Sequence, residues 1–226
     1  MKYVRANRLG RVRWGVLDGD VIRTLKWPPY DGAEYYDGKA WKVADCQILA
    51  PCDPGKIVCV GKNYYDHAVE MGEGIPDRPI LFMKTHNCIN DPEGEIHAPD
   101  FVQRLDYEGE LAFVVKKTAS RVKAAEAWEY ILGFTILNDV TARDVQKGDG
   151  QWTRGKCMDG FAPAGPVLTD EVDPTDLKLE TRLNGKTVQS SRTSLFMTKI
   201  PELMEFITAG ITLEPGDVVS TGTPAG

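Results

Sequence analysis

The sequence predicts a mostly β or α+β protein, and three features support that prediction. With 22 glycines and 14 prolines among 226 residues, the chain has the composition of a protein with many turns between short strands. Two dipeptides that favour tight hairpin turns, Asp18-Gly19 and Asn184-Gly185, each lie between runs that are typical of strands. Segments with helical patterns are few, so we expect no more than two or three helices.

The first 50 residues predict a small N-terminal β module. Residues 12–25, VRWGVLDGDVIRTL, predict a hairpin in which Val12, Trp14 and Val16 share one face. The next stretch, WPPYDGAEYYDGKAW, is rich in aromatic residues and in residues that interrupt strands, and it predicts a covered loop. A boundary near Ala50-Pro51 separates this module (1–50) from the remaining domain (51–226).

The remaining domain predicts short strands with little helix between them. Strands are expected near 57–60, 80–84, 106–115 and 134–138, with a closing strand in DVVST (217–221). One helix is expected over about 120–132, with Ser120 as N-cap and Gly133 beyond its end, and another near 201–209. A turn-rich stretch contains TARDVQ (141–146), and a second hairpin lies around Asn184-Gly185.

Charge and cysteine content restrict the partners and the compartment. The formal charge is −6, so we expect neither nucleic acid nor an anionic membrane as a partner. The N-terminus carries charges where a signal peptide needs an apolar stretch, and no apolar run reaches the length of a membrane span. The five cysteines contain no C-x-x-C pair, which indicates reduced thiols in a cytoplasmic protein and argues against a structural zinc site.

Two glutamates lie two residues apart in DYEGELAFVV (106–115). In a strand, Glu108 and Glu110 would project from one face with Cα atoms about 6.6 Å apart. Carboxylates that close repel each other unless a cation lies between them. The alternative is an exposed strand face that carries two solvated glutamates.

A third carboxylate follows the apolar run of GFTILNDVTARDVQ (133–146). Asp139 stands at the end of a predicted buried strand, where a scaffold commonly presents functional groups. Two glutamates and an aspartate, with no histidine or cysteine nearby, form an oxygen site that suits Mg²⁺, Mn²⁺ or Ca²⁺ better than zinc. Three monodentate carboxylates would leave half of an octahedron open for water or substrate. The spacing alone leaves a metal site and solvated acids both open.

A histidine and a glutamate lie three residues apart in GKNYYDHAVE (61–70), directly after the apolar run 57–60. His67 and Glu70 could form a base with its carboxylate partner. They could equally be an exposed histidine and its helical i, i+3 neighbour. The other histidines, His86 and His97, are interpreted as structural, and Trp152 and Phe161 as packing residues.

Taken together, five stretches resemble the fumarylacetoacetate hydrolase family over about residues 57–226, and they occur in the family's order. They are GKNYYDHAVE (61–70), DYEGELAFVV (106–115), GFTILNDVTARDVQ (133–146), QWTRGKCMDGFAPAGP (151–166) and LEPGDVVSTGTPAG (213–226). The first 50 residues resemble a small β module that precedes this domain in many microbial members. Family members usually continue through further strands, so the resemblance predicts that the natural chain extends beyond Gly226.

The resemblance implies a mixed β-roll fold, a homodimer and chemistry on 2-oxo or 2,4-dioxo acids. It also implies a divalent cation, usually Mg²⁺, held by Glu108, Glu110 and Asp139. His67 and Glu70 match the family's water-activating dyad, on a segment (about 66–78) that orders over bound substrate as a lid. Four further positions match residues that line the ligand: Arg143, Gln146, Lys156 and Thr223. Among these, Lys156 is the candidate catalytic lysine, and Arg143 would counter negative charge on the substrate.

The implied function is Mg²⁺-dependent hydrolysis of a C–C bond in an acylpyruvate or another 2,4-dioxo acid. The dyad favours hydrolysis because only hydrolysis needs an activated water. Within the same family the alternatives are decarboxylation of an oxaloacetate-type acid and isomerisation of 2-hydroxyhepta-2,4-diene-1,7-dioate. A metal-stabilised binding protein without turnover is the hypothesis from another class.

Overall fold

The structure is a computed structural model that describes residues 1–33, 35–72 and 74–226. Its strands in the first 100 residues are β1 (Lys2–Arg8), β2 (Arg11–Asp18), β3 (Val21–Leu25), β4 (Tyr35–Lys42), β5 (Gln47–Leu49), β6 (Ile57–Gly61), β7 (Ile80–Lys84) and β8 (Ile89–Asn90). The later strands are β9 (Leu105–Asp106), β10 (Gly109–Val115), β11 (Ile131–Asn138), β12 (Thr141–Ala142), β13 (Ala162–Pro163), β14 (Leu168–Thr169), β15 (Lys178–Leu183), β16 (Lys186–Arg192) and β17 (Val218–Ser220).

The helices are short and lie between the strands, and the described residues form four α-helices where two or three helices were expected. The α-helices are α1 (Tyr65–Glu70), α2 (Arg143–Asp149), α3 (Thr153–Lys156) and α4 (Ile200–Thr208). Single turns of 3₁₀ helix occur at Pro29–Asp31, Val43–Asp45, His86–Cys88, Pro174–Asp176 and Thr193–Leu195, and a longer one at Ala124–Tyr130. No helix in the described ranges has both the length and the apolar character needed to cross a bilayer. The predicted mostly β or α+β class is confirmed.

One sheet of eleven strands runs through the molecule. Its order is β4-β3-β2-β1-β14-β11-β10-β17-β6-β7, with β5 paired to β1. β17 and β6 are parallel, whereas β1 and β14 are antiparallel. The N-terminal strands therefore join the rest of the sheet through β1 and β14. The proposed boundary near Ala50-Pro51 lies just after β5 and stays a prediction.

Strand β10 is the centre of the core, and all seven of its residues are buried. Leu111 and Phe113 face a cluster that includes α4, whose inward side carries Leu203 and Ile207. Ala112 and Val114 belong to the cluster on the other side. A strand covered on both faces needs apolar residues at successive positions, which explains the continuous run LAFVV.

Several predicted elements are confirmed. The hairpin of β2 and β3 turns at Gly19, which has a positive φ of 61°. The hairpin of β15 and β16 turns at Asn184 and Gly185, with φ values of 50° and 79°. The strands expected near 57–60, 80–84 and 134–138, the helix near 201–209 and the closing strand also occur, as β6, β7, β11, α4 and β17.

The covered loop predicted for residues 27–41 is wrong in its second half. In the described residues before β4 the chain forms a 3₁₀ turn at Pro29–Asp31, and β4 pairs with β3 at the edge of the sheet. Glu34 lies outside the described residues. The residues that interrupt strands in this stretch misled the prediction because pairing with a neighbouring strand, which the sequence does not show, decides the conformation.

The helix predicted over 120–132 is also wrong in length and type. The chain forms a 3₁₀ helix over Ala124–Tyr130, and β11 already begins at Ile131. Ser120 caps nothing, and its hydroxyl accepts a hydrogen bond from Thr212. Gly133 does not end a helix but allows a close approach of β14, since a Cβ there would lie 2.7 Å from the carbonyl oxygen of Thr169.

Two further segments near the carboxylates differ from prediction. TARDVQ is not turn-rich: it forms β12 and the start of α2, whose first turn is fixed because Asp144 accepts hydrogen bonds from the backbone of Gln103 and Arg104. The predicted strand 106–115 pairs in the large sheet only from Gly109 onwards. Its beginning forms β9, which pairs with β12.

Candidate active site

Three carboxylates converge where β10 begins and β11 ends. The two strands are antiparallel with Gly109 opposite Asn138, so Glu108, Glu110 and Asp139 meet at one end of the pair. The backbone N–H of Asp139 donates to the carbonyl of Glu108 at 2.8 Å. One carboxylate oxygen of each residue lies within 4.8 Å of those of the other two.

These carboxylates are not solvated acids on an exposed face. Glu108 is 5% exposed, Glu110 is 2% exposed and Asp139 is fully buried. Glu110 accepts hydrogen bonds from the Ser220 hydroxyl at 2.5 Å and from the Gly222 N–H at 2.9 Å, both at Oε2. The alternative interpretation of this strand is therefore wrong.

Two lysines compensate the buried charge. Lys156 Nζ lies 2.6 Å from Glu108 Oε2 and 2.6 Å from Asp139 Oδ2. Lys84, which the sequence analysis did not identify, is fully buried, and its Nζ donates to Asp139 Oδ1 at 2.8 Å and to the carbonyl of Lys156. Its signal in the sequence was a lysine that ends the otherwise apolar strand ILFMK.

The charges in this cluster shift one another's pKa. Burial and the neighbouring Asp139 and Glu108 carboxylates raise the pKa of Glu110 well above its usual range. Burial opposes ionisation of Asp139, but the ammonium groups of Lys156 and Lys84 hold its pKa below the ordinary value. Burial likewise opposes the charge on Lys156, yet Asp139 and Glu108 raise its pKa. Between Glu110 and Asp139, Glu110 is thus the carboxylate whose negative charge the protein compensates less.

Arg143, at the start of α2, holds the other side of the carboxylate cluster. Its guanidinium donates to Glu108 and, at 2.8 Å, to Asp106 Oδ2, a partner that the sequence analysis did not identify. It also donates to Gln146 Oε1 at 2.7 Å, one helical turn later. Arg143 and Gln146 therefore both lie at the site, with the guanidinium largely engaged by protein acceptors.

The predicted dyad forms on α1. His67 Nδ1 lies 3.1 Å from Glu70 Oε2, and the backbone N–H of Gly226 donates to Glu70 Oε1 at 3.2 Å. His67 is buried, whereas the Glu70 side chain is 44% exposed. With Nδ1 bonded to the carboxylate, Nε2 is the ring nitrogen that remains for proton exchange. The predicted lid contains α1 and also Glu73, which lies outside the described residues, and its closure stays a prediction.

Thr223 lies at the site, in the loop that follows β17. Its hydroxyl donates to the carbonyl of Gly109 at 3.1 Å and accepts from Gln189 Nε2 at 2.8 Å. Gln189 Nε2 also lies 2.8 Å from the carbonyl of Pro224. The hairpin of β15 and β16, which carries Gln189, therefore supports the loop after β17.

A cleft of about 360 Å³ unites these groups. Eight of the nine predicted site residues line it: His67, Glu108, Glu110, Asp139, Arg143, Gln146, Lys156 and Thr223. Glu70 lines the adjoining depression. Trp152, interpreted from the sequence as a packing residue, forms a wall of the cleft with Phe82, in an edge-to-face contact at 5.0 Å between ring centroids. Lys62 and Lys147 also line the cleft and were not identified from the sequence.

The donor set of this cleft fits a hard divalent cation. Glu108, Glu110 and Asp139 offer only oxygen, and such ligands suit Mg²⁺, Mn²⁺ or Ca²⁺. Both hydrogen bonds that Glu110 accepts from described residues arrive at Oε2, so Oε1 has no protein donor among them. Burial and the Asp139 and Glu108 carboxylates raise the pKa of Glu110, and a cation bound there would favour its charged form.

Comparisons with known proteins give matches over the whole chain. The family profile described as "Fumarylacetoacetate (FAA) hydrolase C-terminal" matches residues 56–226, and that described as "Rv2993c-like, N-terminal" matches residues 1–51. Protein Rv2993c of Mycobacterium tuberculosis is 47% identical, over 97% of this chain and 88% of that protein. Oxaloacetate tautomerase YisK of Bacillus subtilis is 42% identical, over 82% of this chain and 64% of that protein.

A solved structure shows that the fold is also shared. The crystal structure of a 2-hydroxyhepta-2,4-diene-1,7-dioate isomerase from Mycobacterium marinum superimposes with a TM-score of 0.92 at 39% sequence identity. The match covers 100% of this chain and 88% of that one.

Proposed function

The chain belongs to the fumarylacetoacetate hydrolase family, and on that premise we propose that it is a metal-dependent enzyme that moves a proton at the carbon beside the keto group of a 2-oxo dicarboxylate. The observation that carries this proposal is the convergence of His67, three carboxylates and Lys156 on one cleft. Keto–enol interconversion needs a positioned base and a stabiliser of negative charge. The reactions in the names of the two relatives, a tautomerase and a dienedioate isomerase, support this reaction type.

His67 is the base of the proposed reaction. In the keto-to-enol direction its Nε2 takes the proton from the substrate carbon and passes it to the keto oxygen or to solvent, and ketonisation runs the same steps in reverse. Glu70 holds the ring through Nδ1 at 3.1 Å, fixes which nitrogen reacts and stabilises the positive charge that the imidazole gains. The pair thus acts as a proton carrier whose orientation is set before the substrate arrives.

The cleft supplies the charges that such a substrate needs. A divalent cation held by Glu108, Glu110 and Asp139 would stabilise negative charge that develops on the keto oxygen. Lys156 and Arg143 lie beside those carboxylates and add positive charge for the substrate's first carboxylate. Two further lysines of the cleft lining, Lys62 and Lys147, suit a second carboxylate, which favours a dicarboxylate over a monocarboxylate.

Hydrolysis of a C–C bond in an acylpyruvate or another 2,4-dioxo acid is the second candidate. It is supported by the partial exposure of the dyad, since the Glu70 side chain is 44% exposed and water can reach it. The same His67 Nε2 would then take its proton from a water that attacks the substrate carbonyl. Decarboxylation of oxaloacetate needs no such water and is the third outcome that an assay must separate.

A panel of three reactions tests the proposal. Ketonisation of enol-oxaloacetate, hydrolysis of acetylpyruvate and decarboxylation of oxaloacetate are each followed with Mg²⁺ or with EDTA. We expect ketonisation to be accelerated above the rate in Mg²⁺ buffer alone, and the acceleration to disappear in EDTA and in the Asp139→Asn protein. Hydrolysis faster than ketonisation would establish the second candidate, and failure of all three would contradict the proposed function.

The metal, the assembly and the compartment complete the proposal. We propose Mg²⁺ as the cation, replaceable by Mn²⁺ or Ca²⁺, because the ligands are all oxygen. We also propose a homodimer that acts in the cytoplasm on a small acid, without nucleic acid or membrane as a partner. Sedimentation or light scattering would measure the assembly.

A further inference from the structure

Two segments that are distant in the sequence lie against each other beside the cleft. One is the 3₁₀ turn His86–Cys88 with the preceding Thr85, and the other begins at Cys157, directly after α3. Asn87 Nδ2 donates to the carbonyl of Cys157 at 3.1 Å, and the N–H of Gly160 donates to the carbonyl of Asn87 at 3.1 Å. These contacts hold two cysteines, Cys88 and Cys157, at the same place.

The Cys88 thiol lies against the peptide group that joins Lys156 to Cys157. The S–H of Cys88 donates to the carbonyl of Lys156 at 3.8 Å, and the S–H of Cys157 donates to the carbonyl of Met83 at 3.2 Å. Cys88 Sγ also lies 3.7 Å from Thr85 Oγ1. Neither cysteine is in a disulfide. Cys88 is fully buried, whereas Cys157 is partly exposed, so a reagent from solvent reaches Cys157 first.

The surroundings also give the two thiols different reactivity. The neighbouring Cys88 thiol, together with Thr85 and the charge of Lys84, lowers the pKa of Cys157 to about 6 although burial opposes this. Its neighbour Cys157, together with burial, raises the pKa of Cys88. Burial raises the pKa of the remaining cysteines, Cys46, Cys52 and Cys59. A partly exposed cysteine beside a buried one is the arrangement of a reactive cysteine with its resolving partner.

We propose that Cys88 and Cys157 form a redox-active pair, a modification site at which a hydroperoxide introduces a reversible disulfide beside the cleft. The Cys157 thiolate attacks one peroxide oxygen, the O–O bond breaks, and hydroxide (or alkoxide) departs as the leaving group. Cys157 is then a sulfenic acid. Cys88 then attacks that sulfur, so that an S–S bond forms, the S–O bond breaks and water leaves. Two thiols are oxidised, and hydrogen peroxide is reduced to two waters.

The disulfide acts on the cleft through Lys156. This residue precedes Cys157, its carbonyl lies 3.8 Å from Cys88 Sγ, and its Nζ bridges Glu108 and Asp139. Formation of an S–S bond draws the Cys157 end of α3 towards Cys88 and moves Lys156 relative to the carboxylates. We therefore expect the oxidised protein to lose activity, and this consequence, unlike the modification itself, rests on the proposed function.

Mass spectrometry tests the modification without any assay of the reaction. The full chain with Mg²⁺ is treated with equimolar hydrogen peroxide, its remaining thiols are alkylated, and it is digested without reductant. We expect two of the five cysteines to escape alkylation, a cross-linked peptide that contains Cys88 and Cys157, and full reversal by dithiothreitol. Cys157→Ser should abolish the cross-link, and so should Cys88→Ser. Cys46→Ser, at another partly exposed cysteine, is the matched control and should keep it.

Other results would overturn the proposal. Wild-type protein that keeps five alkylated cysteines, gains a sulfinic acid on Cys157 without a cross-link, or cross-links other cysteines contradicts it. Because Cys157 is partly exposed, Cys157→Ser keeps the test valid even if Cys88→Ser fails to fold. If the cross-link forms but activity is unchanged, only the expected effect on the cleft is overturned. If the cross-link forms in a protein that shows none of the three reactions, the proposed function is refuted and the redox-active pair is not.

Discussion

Among single residues, His67 tests the proposed proton transfer most directly. His67→Ala should lower ketonisation, and any hydrolysis of an acylpyruvate, by about 10²–10⁴-fold, the usual contribution of a positioned proton-transfer group. Decarboxylation of oxaloacetate should fall much less, because carbon dioxide leaves without an added water. Glu70→Gln should lower the same two rates by a smaller factor, since the imidazole ring stays but loses its charged partner. Steady-state rates of the three reactions at saturating Mg²⁺ provide the measurement.

The matched control for this change is His97→Ala. His97 is highly exposed and its Nε2 lies 3.3 Å from Glu95 Oε2, away from the residues that line the cleft, so its loss should leave all three rates unchanged. Equal losses of all three reactions in His67→Ala would instead assign His67 to substrate binding or lid closure.

Lys84 tests how the protein compensates its buried carboxylates. Lys84→Met removes the ammonium from Asp139 Oδ1 and leaves a buried charge with one partner fewer, which should lower the free energy of unfolding by about 3–5 kcal/mol. Added Mg²⁺ should restore part of this loss, since a cation at the same carboxylates supplies positive charge. Chemical denaturation with and without Mg²⁺ measures both effects. Lys116→Met, at an exposed lysine, is the control, and equal stability of the two variants would contradict the assigned role.

Lys147 tests the substrate class. If it contacts a second carboxylate, Lys147→Met should raise KM for a 2-oxo dicarboxylate by roughly 10–100-fold, the equivalent of a charged hydrogen bond of about 1.5–3 kcal/mol. The KM for a 2-oxo monocarboxylate should stay unchanged, as should kcat for both. Equal KM changes for the two substrates would show that Lys147 acts on the cleft as a whole.

At the scale of elements, the loop after β17 is the one that completes the site. Gly222 has a positive φ of 98°, and a Cβ there would lie 2.8 Å from Asn63 Cβ and 3.0 Å from the carbonyl oxygen of Val60. Gly222→Ala should therefore displace the N–H that donates to Glu110 Oε2 and weaken Mg²⁺ binding by about tenfold, the value of a hydrogen bond to a charged group. Isothermal titration calorimetry measures the affinity. Gly210→Ala, where a Cβ meets nothing within 4 Å, should bind Mg²⁺ like the wild type.

At the scale of the whole molecule, the cation should stabilise the fold. Glu108, Glu110 and Asp139 each have one carboxylate oxygen within 4.8 Å of the other two, so their charges repel one another. A cation that binds only the folded chain adds about 2.7 kcal/mol to the free energy of unfolding when its concentration is 100 times its Kd. The melting temperature should accordingly rise with Mg²⁺ concentration and return to its starting value in EDTA. Asp139→Asn should abolish the Mg²⁺ dependence, and a wild-type melting temperature that ignores Mg²⁺, Mn²⁺ and Ca²⁺ would contradict the metal site.

The sequence by itself determined the fold class and the acidic core of the candidate site. Tight-turn dipeptides and alternating apolar residues are local signals, so both hairpins and the helix α4 could be predicted from them. The i, i+2 spacing of Glu108 and Glu110 and the position of Asp139 after an apolar run were equally local. The family's motifs then located the dyad and the remaining candidates.

Only the tertiary structure decided which distant groups compensate those acids and what surrounds the cleft. Lys84 lies on another strand and reaches Asp139 only because β7 and the end of β11 are brought together by the packed sheet, a proximity that no local spacing encodes. The helix at TARDVQ and the strand β4 were missed for the same reason, since long-range hydrogen bonds fix them against local preference. The Cys88–Cys157 pair likewise arises only where two distant turns meet.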